Sequence, residues 1–172
     1  YFTEEIRRQL TATYGEEAFL SGGLRIRATL DAEMQGVAAT ALRRALERYD
    51  RRQGLWRPTG LTVAPDRLVR EADWRAALSE TDIARDIDLG GTWYPAVVLD
   101  IGPRDARIGI EGIAEREGGH WIRADDVTWA RRQEPHGTLG ARAWRAGDLL
   151  RPGEIVHVRA ILGPDQELRG WT

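Results

Sequence analysis

The sequence contains no cysteine and no lysine, and it has only two serines and three histidines among its 172 residues. The absence of cysteine excludes disulfide bonds, thiol nucleophiles and cysteine-ligated zinc sites. The absence of lysine excludes Schiff-base chemistry, a P-loop and a serine–lysine dyad, because each of these needs a lysine amine. All 25 basic residues are therefore arginine, and few catalytic mechanisms are open to this chain.

The remaining nucleophiles and metal ligands form no recognisable catalytic motif. Neither Ser21 nor Ser79 lies in a G-x-S-x-G sequence or three residues before a lysine. The histidines, His120, His136 and His157, lack the paired spacing of zinc sites. The sequence therefore predicts no catalytic residue, no metal site and no cofactor.

Long apolar runs are missing too. No apolar run approaches the roughly 20 residues that cross a bilayer, and no signal-peptide pattern is present. The formal net charge is −2, whereas nucleic-acid-binding domains usually carry a basic face. We therefore expect a globular region without a transmembrane segment or a nucleic-acid partner. Because the sequence begins with tyrosine rather than methionine, we also expect it to be a piece of a longer chain.

The first third of the chain combines helical patterns with one strand-like segment. Residues 3–14 have helical spacing, and Phe19 and Leu20 follow in a further helical turn. Residues 24–30 alternate apolar and polar side chains, which predicts a β-strand. This stretch is expected to start an α/β layer.

A long amphipathic helix is predicted over residues 31–50. Asp31 suits its N-cap, and apolar residues recur at helical spacing as far as Tyr49. Such a wide apolar face has to pack on something. We expect the part formed by Val37, Ala41 and Leu42 to stay partly exposed in this chain or to self-associate with a second copy.

The remaining two thirds read as a small helical segment followed by short strands and turns. Glycine and proline break the helical pattern at 51–60, and residues 65–82 form the helical segment. Strands are predicted over 92–101, 106–113, 120–123, 154–162 and after residue 166, with helical turns over 124–132 and an irregular stretch over 133–147.

Three strands, a short helix and two more strands follow the order of an OB-fold, a five-stranded Greek-key barrel. The predicted fold class is therefore mainly β with flanking helices (α+β): an OB-like barrel preceded by a helix–strand–helix linker. An SH3-like barrel and an irregular sandwich are the alternatives. We place the linker at residues 1–54 and the barrel domain at residues 55–172.

Seven tryptophans are many for this length. Large aromatic side chains either fill the core of a small barrel or offer stacking surfaces for bases and sugars. Trp93 and Tyr94 are adjacent in a predicted strand, so they point to opposite faces and only one can be buried in the barrel. The candidate binding residues are Trp93, Tyr94, Arg107, His120 and Trp121.

Short motifs along the chain follow the order found in one known family. In the first third they are "GGL" (22–24), "TLD" (29–31), Gln35, "AL" (41–42) and "YD" (49–50). In the second half they are Trp129-Ala130-Arg131 and "PGEIVHV" (152–158). Together they resemble the junction and OB-like insert of class A penicillin-binding proteins of the 1A type. Ala28 and Glu154 depart from the threonine and aspartate usual in that family.

The resemblance implies a non-catalytic spacer in a bifunctional peptidoglycan synthase. The parent protein would combine a glycosyltransferase with a serine-type transpeptidase, and it would be anchored in the inner membrane with this region in the periplasm. The implied partners are the parent's own catalytic domains, an activator lipoprotein and peptidoglycan. The family's S-x-x-K, S-x-N and K-T-G motifs are absent here. The alternative function is a stand-alone OB-fold module that binds oligosaccharide or single-stranded nucleic acid.

Overall fold

The computed structural model describes residues 2–85, 87–88, 91–134 and 136–172. Internal contacts divide the chain into one unit that ends at Gly36 and another that begins at Val37. The α-helices are α1 (Phe2–Tyr14), α2 (Glu16–Ser21), α3 (Ala32–Gln53), α4 (Glu71–Glu80) and α5 (Ala124–Val127). The strands are β1 (Ile87–Asp88), β2 (Thr92–Ile101), β3 (Ala106–Ile110), β4 (His120–Ile122), β5 (Arg131–Gln133), β6 (Leu139–Arg142), β7 (Ile155–Val158), β8 (Ala160–Leu162) and β9 (Leu168–Trp171).

The predicted long helix is confirmed as α3. Asp31 is its N-cap, since its Oδ1 accepts a hydrogen bond from the backbone N–H of Met34 at 3.0 Å. The expected exposure of its apolar face is also confirmed, because Val37 is 66% and Leu42 is 62% exposed. Among the described residues, no helix is both long enough and apolar enough to cross a membrane.

The strand predicted over residues 24–30 is wrong. The structure has no regular secondary structure there, and every residue of the segment is exposed. Alternation of apolar and polar residues specifies a strand only where a neighbouring strand supplies hydrogen bonds and a core covers one face. None of the strand pairings found in the described part of the chain involves this segment.

Among the described strands, β2, β3, β4, β7, β8 and β9 form a barrel. β2 pairs with β3, β3 with β4, β4 with β9 and β9 with β8, while β7 pairs back onto β2. Because only Arg159 separates β7 from β8, the path of pairings closes on itself. Counting β7 and β8 as one strand gives five strands, and only the β4–β9 pair is parallel. The OB-like fold with flanking helices is confirmed.

Both faces of β2 are covered, which explains its apolar sequence. Ala96 and Val98 belong to the core inside the barrel, with Ile108, Ile110 and the residues around them. Val97 lies on the opposite face, where it packs with Trp74 and Leu78 of α4. A strand buried on both sides loses the simple alternation of a half-exposed strand.

Helix α4 lies on the outer face of the barrel, and Gly109 permits its close approach. A Cβ atom at residue 109 would lie 2.7 Å from the indole ring of Trp74. Glycine is therefore required at this position for helix packing, rather than for the barrel bend that its place in a strand suggests.

Residues 133–147, predicted to be irregular, contain part of a small antiparallel hairpin formed by β5 and β6. A short 3₁₀-helix over Ala146–Asp148 follows it. The strand predicted over 106–113 ends at Ile110, where a turn with Gly112 at φ 73° begins. The linker–barrel boundary predicted at residue 54 stays a prediction.

Candidate functional site

A cleft of about 560 Å³ lies between the C-terminal half of α3 and one end of the barrel. Its aliphatic lining comes largely from the barrel core, because Ile122, Val127, Leu149, Leu150 and Val156 all line it and are at most 7% exposed. Three tryptophans also line it: Trp56, Trp93 and Trp129. The volume lies within the range of roughly 300–1,000 Å³ typical of small-ligand sites.

Glu47 of α3 joins the helix to the barrel beside this cleft. Its carboxylate accepts two hydrogen bonds of 2.8 Å from the guanidinium of Arg159. It also forms an ion pair with Arg51, one helical turn further on, at 3.2 Å. The side chains of Glu47 and Arg159 are only 15% and 25% exposed. A paired carboxylate and guanidinium in this bidentate geometry fix both distance and orientation.

The two arginines bound to Glu47 also lie over tryptophan rings. The Cζ atom of Arg159 is 5.1 Å from the ring centroid of Trp93, and that of Arg51 is 5.0 Å from the ring centroid of Trp129. These distances are typical of cation–π contacts. Arg51 also donates to the hydroxyl of Thr172 at 3.1 Å. Burial lowers the pKa of Arg51 below its usual value, although an arginine remains protonated.

The polar groups around the cleft are paired to different extents. The Nε1–H groups of Trp56 and Trp93 are buried, and neither finds an acceptor in the described part of the chain. Burial also raises the pKa of the Asp126 carboxyl above its usual value. By contrast, Trp129 donates its Nε1–H to the carbonyl of Asp126 at 2.9 Å. A buried donor without an acceptor is costly, and the indole nitrogens of Trp56 and Trp93 are closed to solvent in this structure.

Two of the predicted binding residues pack in the barrel interior. His120 is 2% exposed, and its Nδ1 accepts a hydrogen bond from Nε1–H of Trp171 at 3.2 Å. Its Nε2 therefore carries the proton and donates it to the carbonyl of Ala114 at 2.9 Å. The ring of Tyr94 packs edge-on against Trp171. Neither ring nitrogen of His120 is left for a ligand.

The other three predicted binding residues are spread over the surface. Trp93 lines the cleft, as expected if its neighbour Tyr94 packs on the core. Arg107 and Trp121 face each other across β3 and β4. Trp121 also lines a second depression of about 430 Å³, together with Arg104, Arg123 and others. The five residues do not form one site, and their role in binding stays a prediction.

The residues that do shape the cleft were largely missed from the sequence. Glu47 and Arg51 are four residues apart on α3, a spacing that usually marks an exposed helix pair. No local pattern indicates that Arg159, which lies 112 residues after Glu47, completes the cluster. Trp56 follows the glycine that ends α3, and its sequence neighbours carry no signal of a cleft.

Comparison with known proteins gives one consistent result. A family model described as the penicillin-binding protein OB-like domain matches residues 56–171. The chain is similar to penicillin-binding protein 1A of Rickettsia typhi, with 32% identity over 94% of this chain. Penicillin-binding protein 1A of Vibrio cholerae is 25% identical over 92% of the chain, and that of Escherichia coli is 26% identical over 94%. The chain spans 18% of the length of each of these relatives.

Proposed function

Because the chain belongs to the penicillin-binding protein OB-like domain family, we propose that it is the non-catalytic OB-like and linker region of a bifunctional peptidoglycan synthase. The family match carries the proposal, and it is supported by three relatives named penicillin-binding protein 1A that align with at least 92% of the chain. The parent is proposed to be an inner-membrane-anchored glycosyltransferase and serine-type transpeptidase that holds this region in the periplasm.

The residues of the chain support a structural role rather than a catalytic one. An acyl-serine mechanism of the S-x-x-K type needs a lysine, and the sequence has none. The partly buried pair of Glu47 and Arg159 instead joins α3 to the barrel through two hydrogen bonds. A bidentate connection of this kind suits a module that sets the spacing between two catalytic domains.

The exposed apolar face of α3 is proposed to pack against the transpeptidase side of the parent. Leu42, Leu46 and Tyr49 are each more than half exposed, which is an unusual concentration of apolar surface on one helix. Docking of an activator lipoprotein and contact with glycan belong to the same proposal on the strength of the family resemblance.

A double substitution tests the proposed packing of this face. We expect Val37→Glu with Leu42→Glu to change the free energy of unfolding of this chain by less than about 0.5 kcal/mol, because both side chains are exposed here. In the parent, the same change buries two carboxylates against an apolar surface and should lower the melting temperature by several degrees. Thermal unfolding of both proteins provides the measurement.

Equal melting temperatures for parent and variant parent would contradict packing of this face on the catalytic domains. The same face could instead pair two copies of this chain. Light scattering of this chain across concentrations measures that self-association, and the same two substitutions should abolish it. The flanking sequence in the open reading frame is an independent check. An upstream part without a membrane helix, together with a downstream part without S-x-x-K, would refute the proposed parent.

A further inference from the structure

The second depression, of about 430 Å³, gathers positive charge on the barrel. It is lined by Trp121, two aspartates and four arginines that come from four separate segments of the chain. The arginines are Arg104, Arg116, Arg123 and Arg169. Their four positive charges exceed the two negative charges of Asp105 and Asp125, whereas the whole chain has a net charge of −2. The depression therefore has the opposite sign to the chain as a whole.

The guanidinium groups of this depression are accessible and incompletely paired. All four arginines are exposed. Among the described residues, neither Arg116 nor Arg123 has an ion-pair partner. Arg116 donates its Nε–H to a backbone carbonyl at 3.0 Å, and Asp126 attracts Arg123 at longer range. Arg104 contacts Asp125 at 3.5 Å, with side chains 70% and 88% exposed. Such an exposed pair contributes at most about 1 kcal/mol, so a bound carboxylate can replace it.

Trp121 supplies an apolar surface beside these charges. It lies on the outer face of β4, because its neighbours His120 and Ile122 are buried on the inner face. Its Nε1–H already donates to the carbonyl of Gly118 at 2.6 Å, so the ring is left for packing. Gly170 also lines the depression, and a Cβ atom there would meet no other atom within 4 Å. The depression therefore has open space next to the arginines.

We propose that this depression binds an acidic peptide segment that presents two carboxylate side chains. Guanidinium groups bind carboxylates through paired, charge-assisted hydrogen bonds, and Arg116 and Arg123 are placed to make them. The exposed carboxylate of Asp125 accepts a main-chain N–H of the segment, and the ring of Trp121 packs on its aliphatic stems. This inference does not depend on the proposed function of the parent.

Carboxylates in and around the depression favour a short ligand with few negative charges. Asp105 accepts the backbone N–H of Ala124 at 2.8 Å, and Glu167 accepts Nε–H of Arg169 at 2.9 Å. Both carboxylates stay in place, and with that of Asp125 they repel a long polyanion such as single-stranded nucleic acid. Pyrophosphate offers the arginines oxygens, but it has neither an N–H donor for Asp125 nor an apolar part. A peptide with two carboxylates uses all of these groups.

The test follows the Trp121 indole resonance in ¹H–¹⁵N spectra of the chain at low ionic strength, assigned with Trp121→Phe. The probe is the capped peptide acetyl-Glu-Gly-Glu-amide, whose two carboxylates point to the same side of an extended chain. Its uncharged counterpart acetyl-Gln-Gly-Gln-amide, glutarate, pyrophosphate and an oligothymidylate are the comparisons. We expect the glutamate peptide to shift this resonance in a saturable manner. The glutamine peptide should bind at least about tenfold more weakly, because it forms no ion pairs.

A matched pair of charge reversals locates the binding. Arg123 lines the depression and Arg142 of β6 does not, although both side chains are exposed. Arg123→Glu should weaken binding of the glutamate peptide at least about fivefold, whereas Arg142→Glu should leave it unchanged. Gly170→Leu is a second, uncharged variant that should also weaken binding, because its side chain occupies the open space of the depression.

Three results would overturn the proposal. The first is the absence of a saturable shift with the glutamate peptide. The second is equal binding by Arg123→Glu and Arg142→Glu together with unchanged binding by Gly170→Leu. The third is binding of glutarate, pyrophosphate or the oligothymidylate as tight as that of the peptide, which would assign the depression to another class of anion.

Discussion

Replacing Trp74 with alanine is expected to lower the free energy of unfolding by about 3–5 kcal/mol, the range for deleting a large buried aromatic side chain. Trp74 is 2% exposed and packs with Leu78, Val97 and Ile155 between α4 and the outer face of the barrel. Its ring also lies directly over Gly109, which has no side chain that could fill part of the cavity. Urea unfolding followed by far-ultraviolet circular dichroism provides the measurement.

The control for this prediction is another tryptophan of the same chain. Trp144 is 81% exposed, so Trp144→Ala should change the free energy of unfolding by less than about 0.5 kcal/mol. If Trp74→Ala cost no more than Trp144→Ala, then α4 would not be packed on the barrel as the structure places it.

The Glu47→Gln substitution is the second change with a large expected effect. Two guanidinium groups, those of Arg51 and Arg159, bind the Glu47 carboxylate. An amide has no charge, and its NH₂ group cannot accept, so both cations would be left partly unpaired in a poorly solvated site. We expect a loss of about 1–3 kcal/mol in the free energy of unfolding, less than for a fully buried pair because some exposure remains.

Comparison with an exposed ion pair separates the effect of burial from that of charge. Glu80 pairs with Arg67 at 3.0 Å, and its side chain is 66% exposed. Glu80→Gln should therefore cost at most about 1 kcal/mol, as surface ion pairs usually do. Raising the salt concentration should reduce the loss in unfolding free energy for Glu80→Gln more than the loss for Glu47→Gln. Equal losses for the two variants would show that Glu47 does not hold α3 on the barrel.

Much of the fold follows from local sequence. Asp31 with the apolar repeat behind it predicts α3, and the alternation of Ala106, Ile108 and Ile110 predicts the inner face of β3, where all three are fully buried. These predictions are correct because the spacing of apolar residues within each element is enough to distinguish a helix from a strand. The order of the elements then restricts the topology to a small barrel.

The features that sequence reasoning missed depend on contacts distant in the chain. Residues 24–30 alternate like a strand, but alternation does not supply a partner strand. Gly109 lies under a ring 35 positions earlier in the sequence. The cleft forms where Glu47, Trp93 and Arg159 are in contact. These residues are far apart in the sequence, so no local pattern predicts their contact. The imidazole of His120 predicts a binding role, whereas its buried hydrogen bonds give it a structural one.

The proposed non-catalytic role is tested most directly in the proposed parent protein with residues 56–171 replaced by a flexible glycine–serine linker. The measurement is the rate of acylation by a fluorescent penicillin, compared with that of the intact parent. If the proposed function is correct, the reactive serine of the parent lies outside residues 56–171, so we expect an unchanged acylation rate together with a loss of cross-linked product from lipid-linked precursor. Loss of acylation in a variant whose transpeptidase domain still melts at the normal temperature would contradict the proposed role.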